Sequence, residues 1–294
     1  MTRQMTERGY AKINLHLDIT GRMSDSYHRV ETVMQTISLF DEVTVTLTDN
    51  TAVFASCNVV GVPTDTKNIA VRAATMFLTR IQATNGAQIA IYKQIPMAAG
   101  MAGGSADAAA TLRALNRLYG MPLTTAELCE LGAALGADVP FCIVGGTAFA
   151  DGRGDILHAF PTMPDCTVVC ACEGEGVSTP WAYQLLDTEY DNFEADCSYR
   201  PKGTQTLEKA LTDSSLTEIA NSLYNIFEAP VLAARPVAAE LRSLLLAGGA
   251  VGAMMSGSGP SVFGLFSDNT AAQNAAELLQ KHGYRPYLCR PVTP

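Results

Sequence analysis

The residues best suited to phosphate chemistry lie in one stretch, Ile95 to Asn116, which reads IPMAAGMAGGSADAAATLRALN. Its glycines let backbone N–H groups approach a ligand closely, and glycine also reaches positive φ. Apolar periodicity typical of a helix begins after Ser105, and a helix N-terminus adds unpaired N–H groups and a positive dipole end. No lysine precedes the serine, so this is not the GxxxxGK[ST] motif. A phosphate site and a tight turn into a small-residue helix explain the stretch equally well.

Three further segments carry candidate chemistry. In AKINLHL, Lys12 and Asn14 lie on one face of a predicted strand whose other face is apolar. In GADVPF, Asp138 follows a predicted helix, and MSGSGPSVFGLF (255–266) is a second glycine- and serine-rich turn between apolar strands. Each has a plain alternative: an edge-blocking charge for Lys12, a turn residue for Asp138 and a flexible hairpin for 255–266.

The elements that must position these segments follow from hydrophobic periodicity. A short turn is predicted between the second and third strands, Thr125 is a candidate N-cap, and Gly136 a helix stop. Strands are predicted at 8–19, 29–39, 41–47 and 87–95. Helices are predicted at 68–81, after Ser105 and at 124–136.

A composition change at FPTMPDC (160–166) predicts a domain boundary. Beyond it we expect a strand in CTVVCAC, several helices between 180 and 246, two strands around 255–266, a helix in AAQNAAELLQKHG and a last strand in YRPYLCR. The pattern predicts an α+β fold with domains at 1–160 and 161–294 and a cleft between them.

Composition narrows the class of partner. The chain has 294 residues, 48% hydrophobic, and a net charge of −9. This balance argues against nucleic acids and anionic membranes, which are bound by lysine and arginine fields. MTRQMTERGYAKIN contains no signal-peptide pattern, no apolar run approaches the roughly 20 residues of a membrane span, and the eight cysteines lack CxxC spacing. We therefore expect a soluble, cytoplasmic protein.

Taken together, the motifs resemble the galactokinase, homoserine kinase, mevalonate kinase and phosphomevalonate kinase (GHMP) superfamily. IPMAAGMAGGSADAAA is similar to its nucleotide loop, and MSGSGPSVFGLF to its C-terminal glycine motif. The resemblance implies a two-domain α+β fold: an N-terminal ribosomal-protein-like domain, a C-terminal ferredoxin-like domain, and an active site in the cleft. AKINLHL, SYHRVETVMQTISLFD and LGADVPFCIVGGTAFADGRGD are similar to the members that phosphorylate a cytidine-diphosphate-linked methylerythritol for isoprenoid synthesis.

The resemblance implies roles for individual residues. Asp138 would be the base that deprotonates a substrate hydroxyl, and Lys12 would keep Asp138 ionised and stabilise the transferring phosphoryl group. ATP would be the phosphoryl donor, with Mg²⁺ as its counter-ion and Ser105 as a candidate metal ligand. The ATP-binding residues implied are Lys93, Pro96, Met97, Ala98, Ala99, Gly100, Met101, Ala102, Gly103, Gly104, Ser105 and Ala106.

For the second substrate, Tyr27 and His28 match the motif that recognises cytosine, by stacking and an edge hydrogen bond. Tyr183 would be the second stacking ring, with Trp181 as its rival. Asn14 would contact the methylerythritol end. Gly257 and Gly259 would shape the wall near the substrate.

The chain departs from the family pattern at several positions. Ser26 replaces a usual glycine before Tyr27, and Ala98, Ala99 and Ala102 occupy positions that are often glycine. Met101 replaces a leucine, and Ala106 replaces a serine. Asp107 is expected in the first helical turn, as a cap or an indirect magnesium contact.

Other functions stay open on sequence alone. They are a GHMP kinase for another small alcohol such as homoserine or mevalonate, a non-catalytic nucleotide-binding relative, and a decarboxylase relative. Both a monomer and a homodimer are compatible with the sequence.

Overall fold

The computed structural model describes residues 3–25, 27–189 and 202–293. The chain forms two compact units that do not divide at one point of the sequence. The first contains Met1–Ala11, Leu39–Met97 and Ala102–Gly145, and the second contains Lys12–Ser38, Ala98–Met101 and Gly146–Pro294. Strands β1 (Gln4–Arg22) and β2 (His28–Thr48) contribute to both units.

The first unit contains a mixed β-sheet and four helices. The second half of β2 pairs antiparallel with β4 (Gly86–Tyr92), which pairs parallel with β3 (Val53–Cys57). Core side chains include Val43, Ile89 and Phe77, all fully buried. The helices are α1 (Ile69–Arg80), α2 (Gly103–Leu118), α3 (Thr125–Ala133) and α4 (Asp138–Val144).

Two sequence predictions are corrected here. No turn separates 29–39 from 41–47, because Asp41 keeps its place in β2 and its carboxylate accepts the N–H groups of Gln94 and Ile95 at 2.5 and 2.8 Å. The N-cap of α3 is Thr124, not Thr125. Thr124 and Glu127 form a reciprocal capping box, the S/T-x-x-E spacing that favours this position.

The second unit contains two sheets. Besides β1 and β2, its strands are β5 (Thr147–Asp151), β6 (Ile156–Ala159), β7 (Thr167–Ala171), β8 (Tyr224–Asn225), β9 (Gly252–Met255), β10 (Val262–Phe266) and β11 (Pro286–Cys289). The first sheet has the order β6-β5-β2-β1-β8. The second sheet has the order β11-β7-β10-β9 and is antiparallel throughout. With helices before β9 and after β10, the second sheet has the β-α-β-β-α-β order of a ferredoxin-like fold.

The helices of the second unit bury an apolar core against these sheets, centred on Phe227, Leu241, Phe266 and Leu279. Within the described residues, no helix is long and apolar enough to cross a bilayer. The helices are α5 (Thr179–Glu189), α6 (Gln205–Thr212), α7 (Leu216–Asn221), α8 (Glu228–Ala234), α9 (Pro236–Ala247) and α10 (Asn269–Lys281).

Candidate active site

The glycine-rich segment is an irregular loop between β4 and α2 with three residues at positive φ. These are Ala98 (50°), Gly100 (75°) and Ala102 (58°). An L-residue other than glycine in this region costs about 1–2 kcal/mol. Two of the three alanines that replace glycines therefore carry strain, whereas Ala99 does not.

Helix α2 begins at Gly103, two residues earlier than the sequence predicts, and no side chain caps it. The N-cap, Ala102, thus offers the first N–H groups no side-chain acceptor, which suits an anion. The small-residue face is also real: Ala106, Ala108 and Ala109 are fully buried, and a Cβ on Gly9 would lie 2.6 Å from the Ala106 carbonyl oxygen. The small-residue face of the helix is thus used for packing, and phosphate binding by the loop stays a prediction.

In the second unit, the middle of the loop (98–101) is held between β1 and the β9–β10 turn. The Lys12 N–H donates to the Met101 carbonyl at 3.2 Å, and Ser261 N–H donates to Ala99 at 3.2 Å. The Ser256 hydroxyl donates to the Gly100 carbonyl at 3.0 Å. Three motifs far apart in sequence therefore form one connected group.

Close backbone approach explains two of the predicted glycines. A Cβ on Gly100 would lie 2.1 Å from the Ser256 carbonyl oxygen, and one on Gly257 would lie 2.9 Å from the Gly100 carbonyl oxygen. Both residues have positive φ. Gly259 also has positive φ (79°), and a Cβ there would meet the Met255 sulfur.

Lys12 is a buried cation in an ordered polar row. Its Nζ donates to Asn14 Oδ1 at 2.6 Å, and Asn14 Nδ2 donates to Thr32 Oγ1 at 2.8 Å. The Asn14 N–H donates to Ser256 Oγ at 3.3 Å. Asn14, predicted to touch the substrate, thus fixes the position of the lysine.

The same face of β1 continues with His16 and Asp18, which sequence reasoning missed. His16 is 1% exposed, and its Nε2 has no hydrogen-bond partner in the part of the chain that the structure describes. Burial lowers the pKa of His16 to about 4 and raises the pKa of Asp18 to about 6. Alternating polar residues on a strand with an apolar opposite face could have indicated a buried polar face.

His16 predicts a pH dependence of stability. Because its pKa is lowered from 6.5 to about 4 in the folded state, its contribution is complete above pH 6.5 and is lost as the pH falls towards 4. We expect the unfolding free energy of the wild type to fall by about 3 kcal/mol more than that of His16→Phe over this range. Urea unfolding between pH 4 and 7 measures it, with the exposed His282→Gln as control; parallel wild-type and His16→Phe curves would contradict it.

Lys93 lies in the first unit at the centre of a buried ion group. Its Nζ contacts Asp41 Oδ2 at 2.5 Å and Asp107 Oδ2 at 2.7 Å, and all three side chains are at most 5% exposed. Asp41 also holds the backbone that leads into the loop, and Asp107 is the fifth residue of α2. The sequence suggested that Asp107 lies in the first turn as a cap. Instead it lies beyond the first turn, and its ion pair joins α2 to Lys93.

Burial and neighbouring charges shift the pKa values of Asp107 and Lys93 in this group. Burial raises the pKa of Asp107 to about 8, against the opposing charge of Lys93. Burial alone would lower the pKa of Lys93, but Asp107 and Asp41 outweigh it and raise that pKa. Among the described residues, Asp107 Oδ1 has no hydrogen-bond partner.

Asp138 is the first residue of α4, also in the first unit, and is half-buried. The sequence suggested a turn residue past a helix end, but the chain starts a new helix here. A Cβ on Gly136 would lie 4.0 Å from Ser105 Oγ. The start of α4 is thus close to the first turn of α2 and to the predicted phosphate-binding segment.

In the second unit, Tyr27 and His28 have different surroundings. Tyr27 is 59% exposed, and the Arg153 guanidinium lies 4.1 Å from its ring centroid. Arg153 is ion-paired with Asp25. His28 is largely enclosed, with its ring 4.7 Å from that of Tyr183.

The two candidate stacking rings on α5 also differ. Tyr183 packs between His28 and Phe227, whose ring centroid is 4.9 Å away. Trp181 lies under the guanidinium of Arg235. Tyr183 therefore belongs to the His28 cluster, and Trp181 has a separate contact. Ser26, which replaces a usual glycine, lies outside the described residues.

Two family models and several known kinases match this chain. The model of the GHMP kinases N terminal domain matches residues 68–146, and that of the GHMP kinases C terminal matches residues 207–285. A 4-diphosphocytidyl-2-C-methyl-D-erythritol kinase of Clostridium novyi is 38% identical over 285 residues, 97% of this chain and 99% of the relative. The corresponding kinase of Brevibacillus brevis is 43% identical over 256 residues, 87% and 85% of the two chains.

A solved structure gives the same result. The crystal structure of a 4-(cytidine 5'-diphospho)-2C-methyl-D-erythritol kinase superposes with a TM-score of 0.80 at 31% identity, covering 97% of this chain and 98% of that one. Both family models match, and the similarity to these enzymes extends over nearly the whole chain. The protein therefore belongs to the GHMP kinase family, in the group of the 4-diphosphocytidyl-2-C-methyl-D-erythritol kinases.

Proposed function

We propose that this chain transfers the γ-phosphoryl group of ATP to the 2-hydroxyl of 4-diphosphocytidyl-2-C-methyl-D-erythritol, giving the 2-phosphate and ADP in the methylerythritol phosphate route to isoprenoids. The observation that carries this proposal is the near-complete match to kinases named for this substrate. The geometry around Lys12, the loop and His28 supports it.

ATP would bind along residues 96–106. Backbone N–H groups in an irregular loop and at the open start of α2 suit a triphosphate, because glycine and alanine let a phosphate approach the backbone closely. The contacts of 98–101 to β1 and to Ser256 hold the loop in shape before ATP binds. Lys93 stays a predicted ATP contact, although two carboxylates hold its ammonium in this structure.

For the chemical step, Asp138 would accept the proton of the 2-hydroxyl as the oxygen forms a bond to the γ-phosphorus. The bond from that phosphorus to the β,γ-bridging oxygen breaks, and ADP leaves with the electron pair. Lys12, oriented by Asn14, would stabilise the charge on the transferring group.

Mg²⁺ would neutralise charge on the triphosphate. Kinases hold this ion by one or two protein ligands together with the phosphates, so a cluster of acids is not needed. The Ser105 hydroxyl, in the first turn of α2 and close to the start of α4, fits as one such ligand.

At the cytosine end, Tyr27, His28 and Tyr183 would recognise the base, and Gly257 and Gly259 would line the wall near the sugar alcohol. The domain boundary at residue 160 lies between the two segments matched by the family models and stays a prediction. The cytoplasmic location and the choice between monomer and homodimer also stay predictions.

The substrate assignment predicts selective turnover. Purified protein with ATP and Mg²⁺ should release ADP with a kcat/KM for the cytidyl substrate at least about 10³-fold above those for homoserine and mevalonate, because a polar site rejects ligands that leave its groups unpaired. A coupled ADP assay measures this. If homoserine or mevalonate is turned over while the cytidyl substrate gives only background ADP release, the chain is another kinase of the family.

A further inference from the structure

The structure places an acidic residue of α5 against the imidazole of His28. Asp187 Oδ1 lies 2.8 Å from His28 Nε2. The same oxygen accepts from Arg22 Nη2 at 2.7 Å. These side chains come from three elements: the end of β1, the start of β2 and α5.

Helical spacing explains how α5 makes this contact. Tyr183 and Asp187 are four residues apart and so lie on the same face of the helix. Tyr183 packs against the plane of the His28 ring, with centroids 4.7 Å apart, and Asp187 meets its edge. One helix face thus restricts both the tilt and the rotation of a single imidazole.

The carboxylate also selects a tautomer. An ionised carboxylate only accepts hydrogen bonds, so the nitrogen at 2.8 Å must carry a hydrogen. Arg22, which is always charged, donates to the same carboxylate oxygen. In a neutral imidazole with hydrogen on Nε2, Nδ1 is the acceptor. Cytosine carries an amino donor where uracil carries a carbonyl acceptor, so an acceptor nitrogen distinguishes the two bases.

We propose that Asp187, held by Arg22, is a positioning residue that fixes His28 with hydrogen on Nε2 and thereby makes the site select cytidine over uridine diphosphates. This rests on the proposed function for the identity of the substrate. Asp187 itself does not touch the base and acts only through His28.

Kinetics of Asp187→Ala test the proposal. We expect KM for the cytidyl substrate to rise at least about 10-fold, the usual effect of losing a hydrogen bond to a charged group, with KM for ATP within twofold of wild type. The preference for the cytidyl over the uridyl substrate should fall by a similar factor. The matched control, Glu189→Gln, removes an exposed acid from the same helix and should change neither. Equal rises in both KM values, or an unchanged base preference, would overturn the proposal.

The tautomer has a readout that needs no turnover and no variant of Asp187. Nitrogen-15 NMR of the wild-type protein should show His28 protonated on Nε2 and unprotonated on Nδ1 at pH 7, with the signal identified by its loss in His28→Gln. A protonated Nδ1 would overturn the proposal even if Asp187→Ala fails to fold. If the wild type does not phosphorylate the cytidyl substrate, the proposed function fails separately, and the NMR result still decides the Asp187–His28 pair.

Discussion

Asp138→Asn should lower kcat for the cytidyl substrate by at least about 10²-fold, the contribution typical of a general base, while ATP binding is preserved. The amide has nearly the same shape but cannot accept the hydroxyl proton. Residue 138 is not the N-cap of α4, which is Ala137, so the fold does not depend on its side chain as a cap. Loss of a negative charge in the first turn costs only about 0.3–1 kcal/mol.

The measurement is steady-state kinetics beside calorimetric titration of ATP into the variant. Glu218→Gln is the matched control, since Glu218 is also an acid in a first helical turn but is exposed. It should leave kcat unchanged. Unchanged turnover in Asp138→Asn would remove Asp138 from the role of base, and a proportional loss of ATP affinity would indicate a structural role instead.

Lys93→Met should destabilise the protein by about 3–5 kcal/mol, the usual cost of removing one partner from a buried ion group. The variant leaves Asp41 and Asp107 buried without their shared cation. Removing a carboxylate at the same time should recover part of the loss, so Lys93→Met/Asp107→Asn should be more stable than Lys93→Met alone. Urea unfolding measures both.

Lys209→Met is the matched control, because Lys209 pairs with Asp213 but is 78% exposed. It should leave the unfolding free energy nearly unchanged, because solvent screens an exposed ion pair. A Lys93→Met variant of near wild-type stability and strongly raised KM for ATP would show that the ammonium serves the nucleotide rather than the fold.

Local sequence patterns predicted helix ends, the buried face of a strand and positions of close backbone approach. Periodicity located α1 within one residue at each end, and alternation placed Lys12 and Asn14 on one buried face. The glycines at 100 and 257 indicated close backbone approach, which the Ser256 and Gly100 carbonyls explain. The alanines at 98 and 102 carried no such signal, because alanine rarely adopts positive φ and nothing nearby in sequence requires it.

Long-range side-chain pairs could not be predicted. Asp41 is 52 residues from Lys93, and Asp187 is 159 residues from His28. Neither spacing nor composition links them, since each pair depends on how separate elements pack. The short turn predicted between 29–39 and 41–47 was wrong for the same reason, because the Asp41 carboxylate accepts an N–H group from the loop after β4, which lies far away in sequence.

The product of the reaction tests the central claim most directly. Purified protein, ATP, Mg²⁺ and 4-diphosphocytidyl-2-C-methyl-D-erythritol should give, by phosphorus-31 NMR, one new phosphomonoester on the 2-oxygen for each ADP formed, with the cytidine diphosphate signals retained. ADP formed without that phosphomonoester, or a phosphoryl group on another oxygen, would contradict the account.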